Sequence, residues 1–246
     1  MNSSYKRIPA KLRHARGFTL TEILVTISII VLLAVLSVFG IRSLREKAWA
    51  ANASSFLRQN GTAIQGYLSD KGRYPEAWDF GGGSGGGAWS WQIRDYLGYH
   101  DGSSWPVETV LHPRHGRKGI DALNDNARQN IHHFAASAIV LQDVDETDTK
   151  STKTYIREGQ VSNPSSTITL GDAPLKNPLQ PSSGCHAAWW SLRFAAIKGS
   201  PNDPVDQAAL EKSVEFWFNG KAHFLFVDGH VEALSPQEVK KKHFQL

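Results

Sequence analysis

Residues 18–41 read FTLTEILVTISIIVLLAVLSVFGI, and from Ile23 to Ile41 they hold neither a charge nor a proline. No other feature restricts the chain as strongly. As a helix at 1.5 Å per residue, Phe18 to Phe39 spans ~33 Å, close to the ~30 Å hydrocarbon core of a bilayer. A core helix of a soluble protein would show a polar face, whereas this one offers only Thr26, Ser28 and Ser37. Their hydroxyls can bond the preceding helical turn, so they are compatible with lipid. The segment is predicted to span a membrane once. Its flanks orient it: Lys6, Arg7, Lys11, Arg13 and Arg16 precede it with no acid, while Arg42, Arg45 and Lys47 follow it together with Glu46. The positive-inside rule then predicts a cytoplasmic N-terminus and an extracytoplasmic remainder.

A secretory signal peptide places its cleavage site after the apolar run, at small residues. Here Gly17 stands before the run, and a lone acid, Glu22, lies five residues beyond it. A carboxylate at the edge of an apolar helix either snorkels to the interface or needs a positive partner. The segment Gly17-Phe18-Thr19-Leu20-Thr21-Glu22, behind a basic leader and ahead of a long apolar helix, resembles the processing site of type IV pilins and type II secretion pseudopilins. The resemblance implies cleavage after Gly17 by a prepilin peptidase and N-methylation of the new Phe18 amine. It also implies that Glu22 faces the terminal amine of a neighbouring subunit during assembly. A buried carboxylate and a buried ammonium are each costly alone, so pairing them across subunits favours one register.

Beyond Gly40 the helical pattern continues and turns amphipathic. Ile41, Leu44, Ala48, Ala51, Leu57, Ile64, Tyr67 and Leu68 recur at helical spacings, with Arg42, Arg45, Lys47, Arg58 and Gln59 mostly on the other face. A helix from Phe18 to Ser69 would be ~75 Å long at 1.5 Å per residue; the alternative is two helices broken near Gly40 or Asn60-Gly61. Gly72 and Pro75 are stop signals just past the end, and the stretch Tyr67–Pro75 resembles the "Tyr, acid, x, Gly, x, Tyr, Pro" exit of pseudopilin helices. The expected organisation is a leader over 1–17, a transmembrane half-helix over 18–40, an amphipathic half-helix over 41–72, and a globular head over 73–246. The expected fold class is α+β, a long spine helix packed on a C-terminal antiparallel sheet, as in pilins.

Within the head, residues 80–91 (FGGGSGGGAWSW) read as a glycine- and serine-rich loop, without the Lys-Ser/Thr that a phosphate cradle requires. Residues 137–142 (SAIVLQ) read as a buried strand. Asp143, Asp145 and Asp148 follow; their spacing could wrap a calcium ion through hard oxygen ligands, while a solvated acidic loop is the plainer expectation. Near the C-terminus, 222–227 (AHFLFV) reads as a strand, Asp228-Gly229 as a two-residue hairpin turn, and 230–234 as the returning strand. Ser235-Pro236-Gln237-Glu238 reads as a capping box opening a short last helix with Lys240–Lys242 at its C-terminal end. Asn219-Gly220 through Val231 resembles the C-terminal "His, nine residues, Asp-Gly" segment of many prepilin-like proteins, although Phe218 stands where that pattern has its histidine. Residues 161–173 resemble the same group's "Pro-Ser-x-Thr, apolar strand, Asp" segment, which ends here in Asp172.

Composition adds three restrictions. A single cysteine, Cys185, rules out an intrachain disulfide and a multi-cysteine zinc site. The formal charge of +4 hints at nucleic acid, but five of the 27 basic residues sit in the leader, and the remaining 22 face 23 acidic ones; no nucleic-acid partner is expected. Ten histidines invite a catalytic or metal reading, yet neither His112/His115, His132-His133, His186, His223 nor His230 forms a helical ligand pair, and Asp228 reads as a turn residue. The chain is read as no enzyme and as needing no cofactor. It is expected to be a structural subunit of a type II secretion pseudopilus or type IV pilus-like filament in the inner membrane. Its expected partners are the prepilin peptidase, other pilins or pseudopilins and an inner-membrane assembly platform. The main alternative is a glycan-binding or adhesive head on the same anchor, carried by loop tryptophans Trp89, Trp91 and Trp105. A metal-dependent hydrolase is a further alternative.

Overall fold

A computed structural model of the chain describes residues 18–77, 89–99, 113, 134–137, 139–141, 155–173, 200–208, 210 and 214–246. Internal contacts divide the chain into two compact units, Met1–Arg45 and Glu46–Leu246. The first helix, α1 (Leu20–Lys71), runs through residues of both.

In the first unit, Leu20–Ser37 has a mean hydropathy of 2.5, and none of this window is buried by protein. Ile30, Leu32 and Leu36 each expose more than half of their surface. The three hydroxyls are satisfied internally: Thr26 donates to the Ile23 carbonyl at 2.9 Å, Ser28 to Leu24 at 2.8 Å and Ser37 to Leu33 at 2.7 Å. An apolar surface whose Thr26, Ser28 and Ser37 hydroxyls bond within the helix suits a lipid environment.

In the second unit α1 buries Ala53, Leu57, Asn60, Ile64, Tyr67 and Leu68, a stripe at three- and four-residue intervals, and leaves Arg58, Gln59 and Thr62 exposed. The buried stripe therefore starts at Ala53: Ile41, Leu44, Ala48 and Ala51, expected on the same face, are all exposed. No break occurs near Gly40 or Asn60-Gly61. The helix stops at Gly72, whose φ of +68° suits only glycine at low cost and whose N–H donates to the Leu68 carbonyl at 2.8 Å.

Among the described residues four antiparallel strands form one sheet in chain order: β1 (Phe134–Ala136), β2 (Ile168–Asp172), β3 (Ala222–Phe226) and β4 (Val231–Leu234). Both faces of its centre are covered. Leu170, Leu225 and Val227 join Leu57, Ile64 and Leu68 of α1 in one apolar cluster. Ile168, Ala222, Phe224 and Phe226 join Val205, Leu210, Val214, Val239 and Phe244 in the other. The alternation of β3 side chains between two cores explains why every residue of β2 and β3 is buried. A register shift between Ile168 and Leu170 marks a bulge in β2. The helix approaches closely at Gly61, where a Cβ would lie 2.9 Å from Leu225 Cδ1. Gln65 Nε2 adds a bond to the Val227 carbonyl at 2.9 Å. The α+β class expected from the sequence is the one observed.

Four local expectations are corrected. The strand expected over 137–142 lies just earlier, at Phe134–Ala136: Ser137 makes the last sheet bond, to the Thr169 carbonyl at 2.8 Å, and its own carbonyl then accepts from Val140 and Leu141 in a buried turn. Val140 and Leu141 are buried, as expected, but not extended. Asp228-Gly229 does not make a two-residue turn. Phe226 and His230 close a three-residue loop in which Gly229 (φ +90°) takes the left-handed position after a Phe226-to-Gly229 turn. The two-residue turn is at Asn219-Gly220 (φ +51° and +73°), closed by reciprocal bonds between Phe218 and Lys221. Finally, Glu238 does reach back to the Ser235 N–H at 2.7 Å, but only a turn follows. The short 3₁₀ helix is Lys241–Phe244, and the backbones of Lys241 and Lys242 bond to the carbonyls of Asp203 and Pro201, so the lysines sit at its start.

Candidate functional site

The chemistry singled out by the sequence begins at the N-terminus of α1. Phe18 and Thr19 precede the helix, and Phe18 is 84% exposed. Thr19 and Glu22 form a reciprocal capping box. The Glu22 Oε2 accepts from the Thr19 backbone N–H at 2.8 Å and from its hydroxyl at 2.9 Å, and the Thr19 Oγ1 accepts from the Glu22 N–H at 3.2 Å. The Thr-Leu-Thr-Glu spacing carries this motif openly, and Thr19 is a local partner for Glu22 besides the neighbouring amine that the resemblance implies. The box holds the carboxylate at the positive end of the helix dipole, one turn from Phe18, and uses only one of its two oxygens. Gly17 lies outside the described residues.

A second polar constellation lies in the head. Asp172, at the end of β2, is wholly buried, and its Oδ2 accepts from the His223 N–H at 2.7 Å and meets His223 Nδ1 at 3.1 Å. Burial pushes the Asp172 carboxyl above the ordinary carboxylate range, and the bonds and charge of His223 pull the other way. The Phe218 ring packs edge-on against His223 at 4.8 Å. Asp228 and His230 form an exposed pair at the hairpin tip, with Oδ1 accepting from the His230 N–H at 3.1 Å and meeting Nδ1 at 2.6 Å. This is the turn role expected for Asp228. His230 stacks on Phe226 at 4.2 Å, and His243 meets the same ring edge-on at 5.8 Å. Burial, with Lys242 and Lys240 close by, pushes His243 down to about 4. Among the described residues no group of three or more His, Cys, Asp or Glu side chains is arranged to hold a metal ion. The acid–histidine contacts are two separate structural pairs, Asp172 with His223 and Asp228 with His230.

The helix exit is a clamp. Gln92, on the one-turn helix α2 (Trp89–Gln92), donates to the Glu76 carbonyl at 2.8 Å and accepts from its N–H at 3.0 Å, and Tyr74 N–H bonds the Ile156 carbonyl at 2.8 Å. Tyr96 donates to Asp70 at 2.8 Å; burial and that bond push its phenol up to about 12. Trp89 is buried and belongs to this core, so it does not offer the exposed stacking face of the adhesive reading. Trp91 is half-buried with the Arg94 guanidinium 4.0 Å over its ring. Asp143, Asp145 and Asp148, Trp105, Cys185, His112, His115, His132, His133 and His186 lie outside the described residues.

Residues 12–38 match the family model described as the prokaryotic N-terminal methylation motif. No curated protein and no solved structure matches the chain. The matched segment takes in Gly17, Phe18, the Thr19–Glu22 box and the apolar window of α1, so the motif and the helix geometry coincide. With an α+β head behind it, the chain is consistent with a prepilin- or pseudopilin-like protein. The motif points to a structural, pilin-type role, and together with the one long apolar helix among the described residues it points to single-pass membrane anchoring.

Proposed function

We propose that the chain is a filament precursor, cut after Gly17 by a prepilin peptidase, methylated on the Phe18 amine and assembled with other pilins or pseudopilins into a type II secretion pseudopilus or type IV pilus-like filament. The observation that carries this reading is the start of α1. Phe18 is exposed ahead of the first helical turn, and the Thr19–Glu22 box beside it leaves Oε1 of Glu22 without a bond among the described residues. In the assembled state that oxygen would accept the Phe18 ammonium of a neighbouring copy, a pairing that offsets two desolvation costs at once. The basic leader keeps the cleavage site on the cytoplasmic side of the inner membrane, and the head is extracytoplasmic. An inner-membrane assembly platform is the further partner.

Replacing Gly17 by alanine tests the processing step. Expression beside a prepilin peptidase should yield the mature band from the native chain and only the precursor from Gly17→Ala. A mature band from the variant would refute cleavage at this position.

A further inference from the structure

The chain has two Asn-Gly dipeptides, Asn60-Gly61 and Asn219-Gly220, and the fold puts them in opposite circumstances. Asparagine before glycine is the most open setting for amide loss, because glycine has no Cβ to obstruct attack by its own backbone nitrogen. Asn60 is wholly buried in the middle of α1, and Gly61 is pressed against Leu225. Its nitrogen is part of the helix ladder, so reaction there requires the helix to open. Asn219 and Gly220 are both exposed. They form the whole of a two-residue turn with positive φ at both positions, and nothing lies within 4 Å of where a Cβ on Gly220 would stand.

We infer that Asn219 is a site of spontaneous covalent modification in the folded protein, converting through a succinimide to aspartate and isoaspartate, while Asn60 is protected. The Gly220 nitrogen gives up its proton to solvent base and bonds to Asn219 Cγ. The Cγ–Nδ2 bond breaks, and the nitrogen leaves as ammonia. Water then opens the imide. Addition at Cγ gives aspartate, and addition at the main-chain carbonyl gives isoaspartate, whose backbone runs through the former side chain. Water is the only co-reactant, and nothing is oxidised or reduced.

The two products differ structurally. Aspartate tolerates the left-handed conformation and preserves the turn. Isoaspartate adds a methylene to a loop that has no slack, which opens the reciprocal Phe218–Lys221 bonds of 3.0 and 3.1 Å. Phe218 is the ring that packs on His223, the partner of Asp172, so the damage reaches the buried pair.

The test is peptide mapping by mass spectrometry of the detergent-solubilised full chain, sampled during incubation in mildly alkaline buffer. The peptide holding Asn219 should gain about 1 Da and split into two chromatographic isomers, at least about tenfold faster than the Asn60 peptide, which should react at a comparable rate only in denaturant. Asn219→Asp should show no time-dependent gain in mass at that peptide and keep the thermal midpoint of the parent. An Asn219 peptide that stays intact in the folded chain while the denatured control reacts would overturn the inference, as would equal rates at Asn60 and Asn219 without denaturant.

Discussion

At the scale of single residues, Glu22 carries two separable contributions. Its carboxylate caps α1 through Thr19, a task that a neutral amide oxygen can also perform, whereas pairing with a neighbour's ammonium needs the charge. Glu22→Gln should therefore be processed normally and fail to enter filaments, read as loss of the sheared or pelleted fraction. Thr19→Ala should weaken the cap by about 0.5–2 kcal/mol. His243 supplies a pH signature. Its folded value, about 4, lies below the ordinary 6.5, so the neutral ring contributes stability that is complete above pH 6.5 and lost as the pH falls toward 4. Asp172 shifts the opposite way for a carboxyl; it binds its proton more tightly when folded and adds nothing to that acid loss. His243→Gln keeps an acceptor for the Lys240 N–H, which bonds His243 Nδ1 at 3.1 Å. It should flatten the fall in thermal midpoint between pH 6.5 and 4, whereas an unchanged slope would assign the effect elsewhere.

At the scale of elements, the contact between α1 and β3 rests on the absence of a side chain at Gly61. Gly61→Ala gains up to about 1 kcal/mol of helix propensity but drives a methyl into Leu225, an overpacking cost of about 1–3 kcal/mol. The expected net result is a lower denaturation midpoint. Leu225→Ala alone should cost about 2–5 kcal/mol. The double variant should be less destabilised than the sum, because the new methyl enters the space that Leu225 vacates; strict additivity would place Gly61 outside that contact. Such contacts also show what the sequence could express. The period of α1, its Gly72 stop and the strand β3 were legible because they are local. The start of the buried stripe at Ala53 was not, since Ile41 and Leu44 have the same spacing and hydropathy as core residues. Whether such residues are buried depends on what lies opposite them. The length of the Asp228-Gly229 turn was not legible for a similar reason. Asp-Gly and Asn-Gly carry equal turn chemistry, and the choice between two and three residues is set by the residue just before β2, Thr167, whose carbonyl takes the Val227 N–H at 2.9 Å. Of the candidate site, the methylation motif was legible as a local pattern at residues 12–38, and the Asp172–His223 pair only as two isolated polar residues.

At the scale of the whole molecule, a methylation motif at residues 12–38 leads into an apolar helical window, and a head follows in which one sheet is buried between two apolar clusters. Such a head needs no disulfide to hold its core, in keeping with its single cysteine. The central claim is that the apolar segment is kept in the mature protein as its new N-terminus. A secretory signal would be cleaved after that segment. Mass spectrometry of the N-terminal peptide of the protein isolated from membranes, expressed with a prepilin peptidase, distinguishes the two. The account predicts a chain that starts at Phe18 with one methyl group on its amine. An N-terminus beyond Ser37, or an intact leader in the presence of active peptidase, would contradict it.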